Sequence, residues 1–297
     1  MSTPRFLDLP PGVRRTDVAT PLGTVAALTA LPAAGGCELQ PALLVPGFTG
    51  SKEDFIGLLQ TLAQAGRSVV AIDLPGQYES PGLADPADYT RAGLGRAVAA
   101  VAAALDHGPV HLLGHSFGGL VTRETVIEAR VPVLSFTLMS SGPSAIGGAR
   151  ASDARRLVAA LGRTPTREHV HALWADHLDA PARTSGLPDE IYAFLRARML
   201  ANHPDALVRM AEELLSAPDR TLDLAATDVP KLVVYGENDD AWPAEVQATM
   251  AEHLGAQRVV IPGAAHSPNV EAPETTAGAL TAFWNRVETP PRPAAAS

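Results

Sequence analysis

The chain has 297 residues, of which 46% are hydrophobic and 19% charged, and its formal net charge is −9. This length can bury a large core, whereas an acidic chain with only two lysines lacks the clustered positive charge that a nucleic-acid partner requires. The single cysteine, Cys37, excludes an intramolecular disulfide and a thiolate metal cage. The sequence shows neither a signal-peptide pattern nor an apolar run of the roughly 18 residues that span a bilayer. We therefore expect a cytoplasmic protein that does not contact membranes.

Short apolar runs and helical patterns alternate along the first half of the chain. The predicted strands are 25–31, 42–45, 68–72, 110–113 and 134–139. The predicted helices are 51–65, 90–105 and 118–130. Strands that alternate with helices of this length form βαβ units, in which successive strands are parallel. The first half therefore predicts an α/β fold with a mainly parallel sheet.

The alternation stops between residues 143 and 230, where helical patterns are separated by prolines. These patterns lie around 151–161, 166–178, 188–200 and 204–216. The alternation then resumes, with strands at 231–235 and 258–261 and helices at 244–254 and 274–287. We therefore predict a core of residues 1–142 and 231–287, a helical cap of residues 143–230 and a disordered tail of residues 288–297.

The segment Gly114-His115-Ser116-Phe117-Gly118 lies between a predicted strand and a predicted helix. A serine at such a sharp turn needs small residues two positions to either side, because a Cβ there would meet neighbouring backbone. The turn also places the serine at a helix N-terminus, where negative charge is favoured. This pattern is typical of a nucleophile elbow and makes Ser116 a candidate nucleophile.

A serine nucleophile needs a base to accept its proton and an acid to orient that base. After an elbow serine, these groups are expected in the order Asp or Glu, then His. Asp239 and His266 fit this order, since each follows a predicted strand. Asp240 is the alternative acid, because it directly follows Asp239.

Five segments in this order resemble the capped branch of the α/β-hydrolase fold family over residues 20–287. They are Pro46-Gly47-Phe48-Thr49-Gly50, Asp73-Leu74-Pro75-Gly76, the elbow at 114–118, Gly236 with Asp239, and Gly263 with His266. The resemblance implies a mostly parallel eight-stranded sheet flanked by helices. It also implies that the helical cap is inserted between the sixth and seventh strands.

The family's pattern implies a role for each matching residue. Ser116 would be the nucleophile, His266 the base and Asp239 the acid. The backbone amides of Phe48 and Phe117 would form the oxyanion hole.

The chain departs from the family's pattern at two places. Pro46 stands where the family commonly has a histidine before the oxyanion-loop glycine. Gln77-Tyr78 replaces a turn of small residues, which brings Tyr78 toward the expected pocket. Asp73 is expected to form a turn that supports the oxyanion loop.

Five side chains are candidates for the walls of the substrate pocket. They are Trp242, Tyr78, His115, Trp174 and Phe194. Trp242 closely follows the expected acid, and Trp174 and Phe194 lie on predicted cap helices that would face the pocket. His115 flanks Ser116, and the alternative to a place in the pocket wall is a purely structural role for this histidine.

The histidine-rich stretch of residues 169–177 does not predict a metal site. On a helix, His169 and His171 point in roughly opposite directions, and no pair of histidines has the i, i+4 spacing of a zinc-binding helix. We therefore expect no metal here, and the serine mechanism that the resemblance implies requires no cofactor.

These features predict a serine hydrolase that acts on a small molecule. A serine at the elbow argues against epoxide hydrolases and haloalkane dehalogenases, which need a carboxylate there. The cleaved bond could be a carboxylester, a lactone, a thioester or a C–C bond. The alternatives are an acyltransferase or cofactor-free perhydrolase using the same three residues, or a hydrolase-fold protein that only binds a ligand. We expect a monomer or a homodimer.

Overall fold

A single sheet organises the chain. In a computed structural model, which describes residues 2–32, 39–106 and 108–289, this sheet contains eight strands. They are β1 (Val13–Thr20), β2 (Gly23–Ala30), β3 (Leu39–Val45), β4 (Arg67–Ile72), β5 (Val110–His115), β6 (Val133–Met139), β7 (Lys231–Gly236) and β8 (Gln257–Ile261). Their order across the sheet is β1-β2-β4-β3-β5-β6-β7-β8.

The sheet is antiparallel at one edge and parallel elsewhere. β2 pairs antiparallel with both β1 and β4, whereas every pairing from β4 to β8 is parallel. Parallel strands end at the same edge of the sheet, so the segments that follow β3, β5, β7 and β8 come together there. The predicted α/β fold with a mostly parallel eight-stranded sheet is confirmed.

Helices cover both faces of this sheet. The α-helices of the described residues are α1 (Ile56–Gln64), α2 (Arg91–Ala104), α3 (Phe117–Ile127), α4 (Gly148–Leu161), α5 (Arg167–Leu173), α6 (Asp179–Thr184), α7 (Asp189–Ala201), α8 (Pro204–Ser216), α9 (Thr221–Ala225), α10 (Ala244–His253), α11 (Pro268–Glu271) and α12 (Pro273–Glu288). Side chains alternate along a strand, so Leu43 and Val45 of β3 pack with α2 and α3. Ala42 and Leu44 of the same strand pack with α1 and α12 on the other face.

The segment between β6 and β7 is helical throughout its regular structure, from α4 to α9. Its buried apolar side chains form a cluster of their own, which includes Leu161, Trp174 and Phe194. Helix α8 also reaches the core, because Met210 and Leu214 pack in the cluster that contains α2 and α3. The division into core and cap at residues 143 and 230 stays a prediction.

Two elements differ from the sequence-based expectation. The sequence patterns do not predict β1, because its residues are mostly polar or charged. This strand lies at the edge of the sheet, where few side chains are buried. The helix expected over 166–178 is α5 followed by a π-helical turn at Trp174–Leu178.

The tail that the sequence predicts from residue 288 does not begin at that residue. Glu288 is the last residue of α12, and its carboxylate pairs with Arg67 Nη1 at 2.7 Å and lies 2.8 Å from His111 Nε2. These contacts with strand residues explain why α12 continues to this residue. Residues 290–297 lie outside the described residues, as do Cys37 and His107.

Within the described ranges, no helix combines the length and apolar character needed to cross a bilayer. The cytoplasmic location stays a prediction.

Candidate active site

Ser116 occupies a strained turn between β5 and α3. Its φ of 54° and ψ of −121° lie outside the regions that L-residues favour, and such a conformation costs about 1–3 kcal/mol. The flanking glycines make the turn possible. A Cβ at Gly114 would lie 2.4 Å from the Gly118 carbonyl oxygen, and one at Gly118 would lie 2.4 Å from the Pro46 carbonyl oxygen. The elbow pattern therefore reflects close backbone packing around the serine.

Ser116, His266 and Asp239 form a continuous chain of hydrogen bonds. Ser116 Oγ lies 2.9 Å from His266 Nε2, and His266 Nδ1 lies 2.9 Å from Asp239 Oδ1. The three residues follow β5, β8 and β7 at the carboxyl edge of the sheet. This arrangement lets a histidine accept the serine proton while the carboxylate holds the imidazole in one orientation.

Asp239 is buried but well supplied with hydrogen-bond donors. Its Oδ1 accepts from the Ala241 amide at 2.9 Å, and its Oδ2 accepts from Gln247 Nε2 at 2.9 Å. Burial alone would raise the pKa of Asp239, but His266 and these donors outweigh it and hold the pKa below its ordinary value. The carboxylate is therefore ionised at neutral pH and acts only as an acceptor toward His266.

The loop after β3 packs against Ser116. A Cβ at Gly47 would lie 3.0 Å from Ser116 Cβ, so this loop packs directly against the serine. Among the described residues, neither the Phe48 amide nor the Phe117 amide has a hydrogen-bond acceptor. Both amides are thus available to an oxygen bound beside Ser116, as an oxyanion hole requires.

Gln77 holds this loop in place. Its Nε2 donates to the Gly47 carbonyl at 2.9 Å, and its Oε1 accepts from the Leu74 amide at 3.1 Å. Gln77, which belongs to the second departure from the family pattern, therefore supports the loop that begins at Pro46.

Asp73 forms a buried ion pair beneath the same loop. Its carboxylate accepts from the Lys52 amide at 2.7 Å and from Lys52 Nζ at 2.8 Å. Burial raises the pKa of Asp73 to about 7, although Lys52 opposes this change. The structure therefore connects Asp73 to the oxyanion loop through Lys52.

A cavity of about 830 Å³ opens onto Ser116 and His266. Its apolar walls include Phe48, Ile146, Leu157, Leu173, Met199 and Leu214. Arg150, Asp153 and Ala154 of helix α4 also line the cavity. Together with Leu157 they form one face of this helix. Asp240 also lines the cavity, and its carboxylate accepts two hydrogen bonds from the Arg150 guanidinium, at 2.8 and 3.1 Å.

Of the five predicted pocket residues, only His115 lines this cavity. Its Nε2–H donates to the His266 carbonyl at 2.9 Å, so it also positions the segment that carries His266. Burial and the neighbouring His266 lower the pKa of His115 to about 3, which keeps the imidazole neutral.

The other four are not among the residues that line this cavity, and their roles in substrate binding stay predictions. Tyr78 and Phe194 contact each other edge to face at a centroid distance of 5.6 Å, and Trp174 donates from its indole to Asp179 within the helical segment between β6 and β7. Trp242 packs against Gly142, and its ring centroid lies 6.4 Å from that of His266. Trp174, Phe194 and Trp242 are buried between helices and loops, where burial stabilises the fold, whereas Tyr78 is half-buried.

Trp242 is therefore expected to affect stability more than substrate selection. Its side chain is buried, and its Nε1 donates to the Ser144 carbonyl at 3.2 Å. Replacing it by alanine should lower the free energy of unfolding by about 3–5 kcal/mol, since the change leaves a large cavity. Urea denaturation measures this loss, and Trp242→Phe serves as a smaller change at the same place. A loss under about 1 kcal/mol for Trp242→Ala would contradict this assignment.

Asp239, Asp240 and His266 have possible ligand atoms within 4.8 Å of one another. All of these groups already have protein partners: the carboxylate of Asp240 pairs with Arg150, and both imidazole nitrogens of His266 belong to the chain from Ser116 to Asp239. We interpret the cluster as a hydrogen-bonded one, and the expectation of no metal stays a prediction.

Sequence reasoning missed the helix α4 face and the segment at the start of the chain, where Ser2 and Thr3 line the cavity. The spacing of residues 150, 153, 154 and 157 is a helical face that could have indicated the first. No sequence signal that we can identify points to the second.

Known proteins resemble this chain over most of its length. A model of the alpha/beta hydrolase family matches residues 42–279. The dihydrolipoyllysine-residue acetyltransferase component of the acetoin cleaving system of Pseudomonas putida is 31% identical over 257 residues, which cover 85% of this chain. This chain spans only 65% of that relative's length.

Two further proteins are similar along nearly their whole length. The pimeloyl-(acyl-carrier protein) methyl ester esterase of Neisseria meningitidis is 30% identical over 249 residues, covering 81% of this chain and 91% of that protein. A thermophilic esterase from Thermogutta terrifontis has a similar fold, with a TM-score of 0.69 and 23% identity over 93% of this chain and all of that chain. The chain therefore belongs to the alpha/beta hydrolase family.

Proposed function

We propose that the protein is a serine hydrolase that cleaves an ester-type bond of a small molecule through an acyl-enzyme. The observation that carries this proposal is the chain of hydrogen bonds from Ser116 Oγ through His266 to Asp239, with 2.9 Å at each step. A serine, a histidine and a buried carboxylate at these distances have the geometry of nucleophile, base and orienting acid.

The reaction follows from this geometry in two halves. Ser116 Oγ attacks the acyl carbon as His266 Nε2 takes its proton, and the negative oxygen accepts hydrogen bonds from the Phe48 and Phe117 amides. The bond between the acyl carbon and the leaving atom then breaks as His266 gives that atom the proton, and the acyl group stays on Ser116. In the second half, water gives a proton to His266 and attacks the acyl carbon. The bond between the acyl carbon and Ser116 Oγ then breaks, His266 returns the proton to Oγ, and the acid is released.

The cavity favours substrates of small to medium size. Its volume of about 830 Å³ lies within the range of pockets that enclose small molecules, about 300–1,000 Å³. Apolar residues such as Leu157, Leu173 and Met199 suit an aliphatic or aromatic acyl group. The similarity to a methyl ester esterase supports an ester as the first substrate class to test.

A panel of esters tests the proposal. p-Nitrophenyl esters from acetate to dodecanoate, together with lactones, a thioester and emulsified triolein, are compared by kcat/KM. We expect turnover of short and medium acyl groups, a burst of p-nitrophenol equal to the enzyme concentration, and weak action on triolein.

Three outcomes would contradict the proposal. Failure to turn over any ester, lactone or thioester would oppose a hydrolase of this class and favour cleavage of a C–C bond or ligand binding alone. Products formed mainly with added alcohols, amines or peroxide in place of water would identify an acyltransferase or perhydrolase. Efficient hydrolysis of triolein would show that the cavity does not enclose the substrate.

A further inference from the structure

The first residues of the chain form part of the cavity that holds Ser116. Ser2 and Thr3 line it together with His266, Ser267 and Val270. Pro4, which follows them, is buried. This segment is far from the other cavity residues in sequence, so specific contacts must hold it there.

Arg198 of helix α7 supplies the first contact. Its guanidinium is fully buried and pairs with the equally buried Asp54 at 2.8 Å. A second guanidinium nitrogen donates to the Ser2 carbonyl at 2.6 Å. A buried arginine needs acceptors for its donors, and the Ser2 carbonyl supplies one of them beside Asp54.

The segment after β8 supplies the other contacts. Ser2 Oγ lies 2.9 Å from Ser267 Oγ, and Arg5 Nη2 donates to the Glu271 carbonyl at 2.6 Å. The Glu271 carboxylate in turn accepts from the Ser267 amide at 3.0 Å and from the Ala265 amide. Residues 2–5 are thus attached to the same turn that carries His266.

The chemistry decides which part of a substrate would meet this segment. His266 must give its proton to the leaving atom, so the leaving group lies on the side of Ser116 that faces His266. Ser267 and Val270 line the cavity on the segment that follows His266, and Ser2 and Thr3 lie with them. We propose that residues 2–5 form a wall of the leaving-group part of the pocket and restrict the alcohol or thiol of the substrate to a short one.

This inference rests on the proposed serine hydrolase mechanism and adds a specificity to it. It concerns only the leaving group, because the apolar residues that suit the acyl group come from α4, α5 and α7. The two ends of an ester are therefore expected to be selected by different parts of the chain.

Two series of esters separate the two selections. One series keeps a butanoyl group and varies the alcohol from methyl to hexyl, and the other keeps a methyl alcohol and varies the acyl chain. Deleting residues 2–5 should raise the hexyl-to-methyl ratio of kcat/KM by at least about tenfold, with a much smaller change in the acyl series. Ser2→Trp should lower the same ratio, because the indole would occupy space in the cavity.

Two further variants complete the test. Arg198→Lys keeps a positive charge for Asp54 but cannot pair with it and the Ser2 carbonyl together, so it should shift the ratio in the same direction as the deletion. Phe6→Ala is the matched control, since Phe6 is close in sequence and 40% exposed, and it should leave the ratio as in the parent. Thermal unfolding by circular dichroism shows whether each variant is folded at the assay temperature.

The results distinguish this inference from the proposed function. In one outcome, the parent hydrolyses esters while the folded deletion variant and the folded Ser2→Trp variant keep its hexyl-to-methyl ratio. This result would overturn the proposed leaving-group wall and leave the proposed function standing. A parent that turns over no ester at all would contradict the proposed function and this inference with it.

Discussion

Replacing Ser116 by alanine is expected to lower kcat by about 10⁴- to 10⁶-fold. The change removes the Oγ atom that lies 2.9 Å from His266 Nε2 and would attack the acyl carbon. The Phe48 and Phe117 amides stay in place, so a small residual rate above that in water is expected. Thermal unfolding should change little, because alanine keeps the backbone and removes one oxygen.

Covalent labelling gives an independent readout of the same change. A fluorophosphonate probe should add to the parent at one serine, identified as Ser116 by mass spectrometry, and should not add to Ser116→Ala. Ser152→Ala is the control, since Ser152 is an exposed serine on helix α4 and donates only to the Gly148 carbonyl. Equal labelling of the parent and Ser116→Ala would rule out Ser116 as the nucleophile.

Seven of the eight strands, together with the candidate residues Ser116, Asp239 and His266, could be predicted from the sequence because they depend on local patterns. Strands and helices alternate visibly, and the elbow needs glycines at 114 and 118 whatever surrounds it. Asp239 and His266 follow strands that end at the same edge of the sheet, and the structure brings both to Ser116. The catalytic roles stay predictions, which Ser116→Ala and Asp239→Asn test.

The walls of the pocket could not be predicted in this way, because they depend on how helices pack in three dimensions. Phe194 and Trp174 look suited to a pocket but are used in the interior of the helical segment. Arginine side chains are mostly exposed, yet Arg198 is buried against Asp54. Only the packing of α7 on the core shows that this arginine also holds Ser2.

Replacing Asp239 by asparagine is expected to lower kcat by about 10⁴-fold, because the carboxylate would no longer fix the imidazole. Both oxygens of Asp239 face donors: His266 Nδ1 and the Ala241 amide on one side, and Gln247 Nε2 on the other. An asparagine must turn its NH₂ group toward one of these sides. It then either loses a bond to Gln247 or favours the histidine tautomer that cannot accept the serine proton.

Asp240→Asn is the matched comparison, since it makes the same chemical change one residue later. The Asp240 side chain is 62% exposed and pairs with Arg150, and an exposed pair of this kind contributes only about 0–1 kcal/mol. We therefore expect kcat to fall by less than about tenfold in Asp240→Asn, with KM more affected because Arg150 and Asp240 both line the cavity. Steady-state kinetics on one ester, with thermal unfolding to show that both variants are folded, measures the difference. If Asp240→Asn were the more damaging change, Asp240 would be the acid and the hydrogen bond between Asp239 and His266 would have only a structural role.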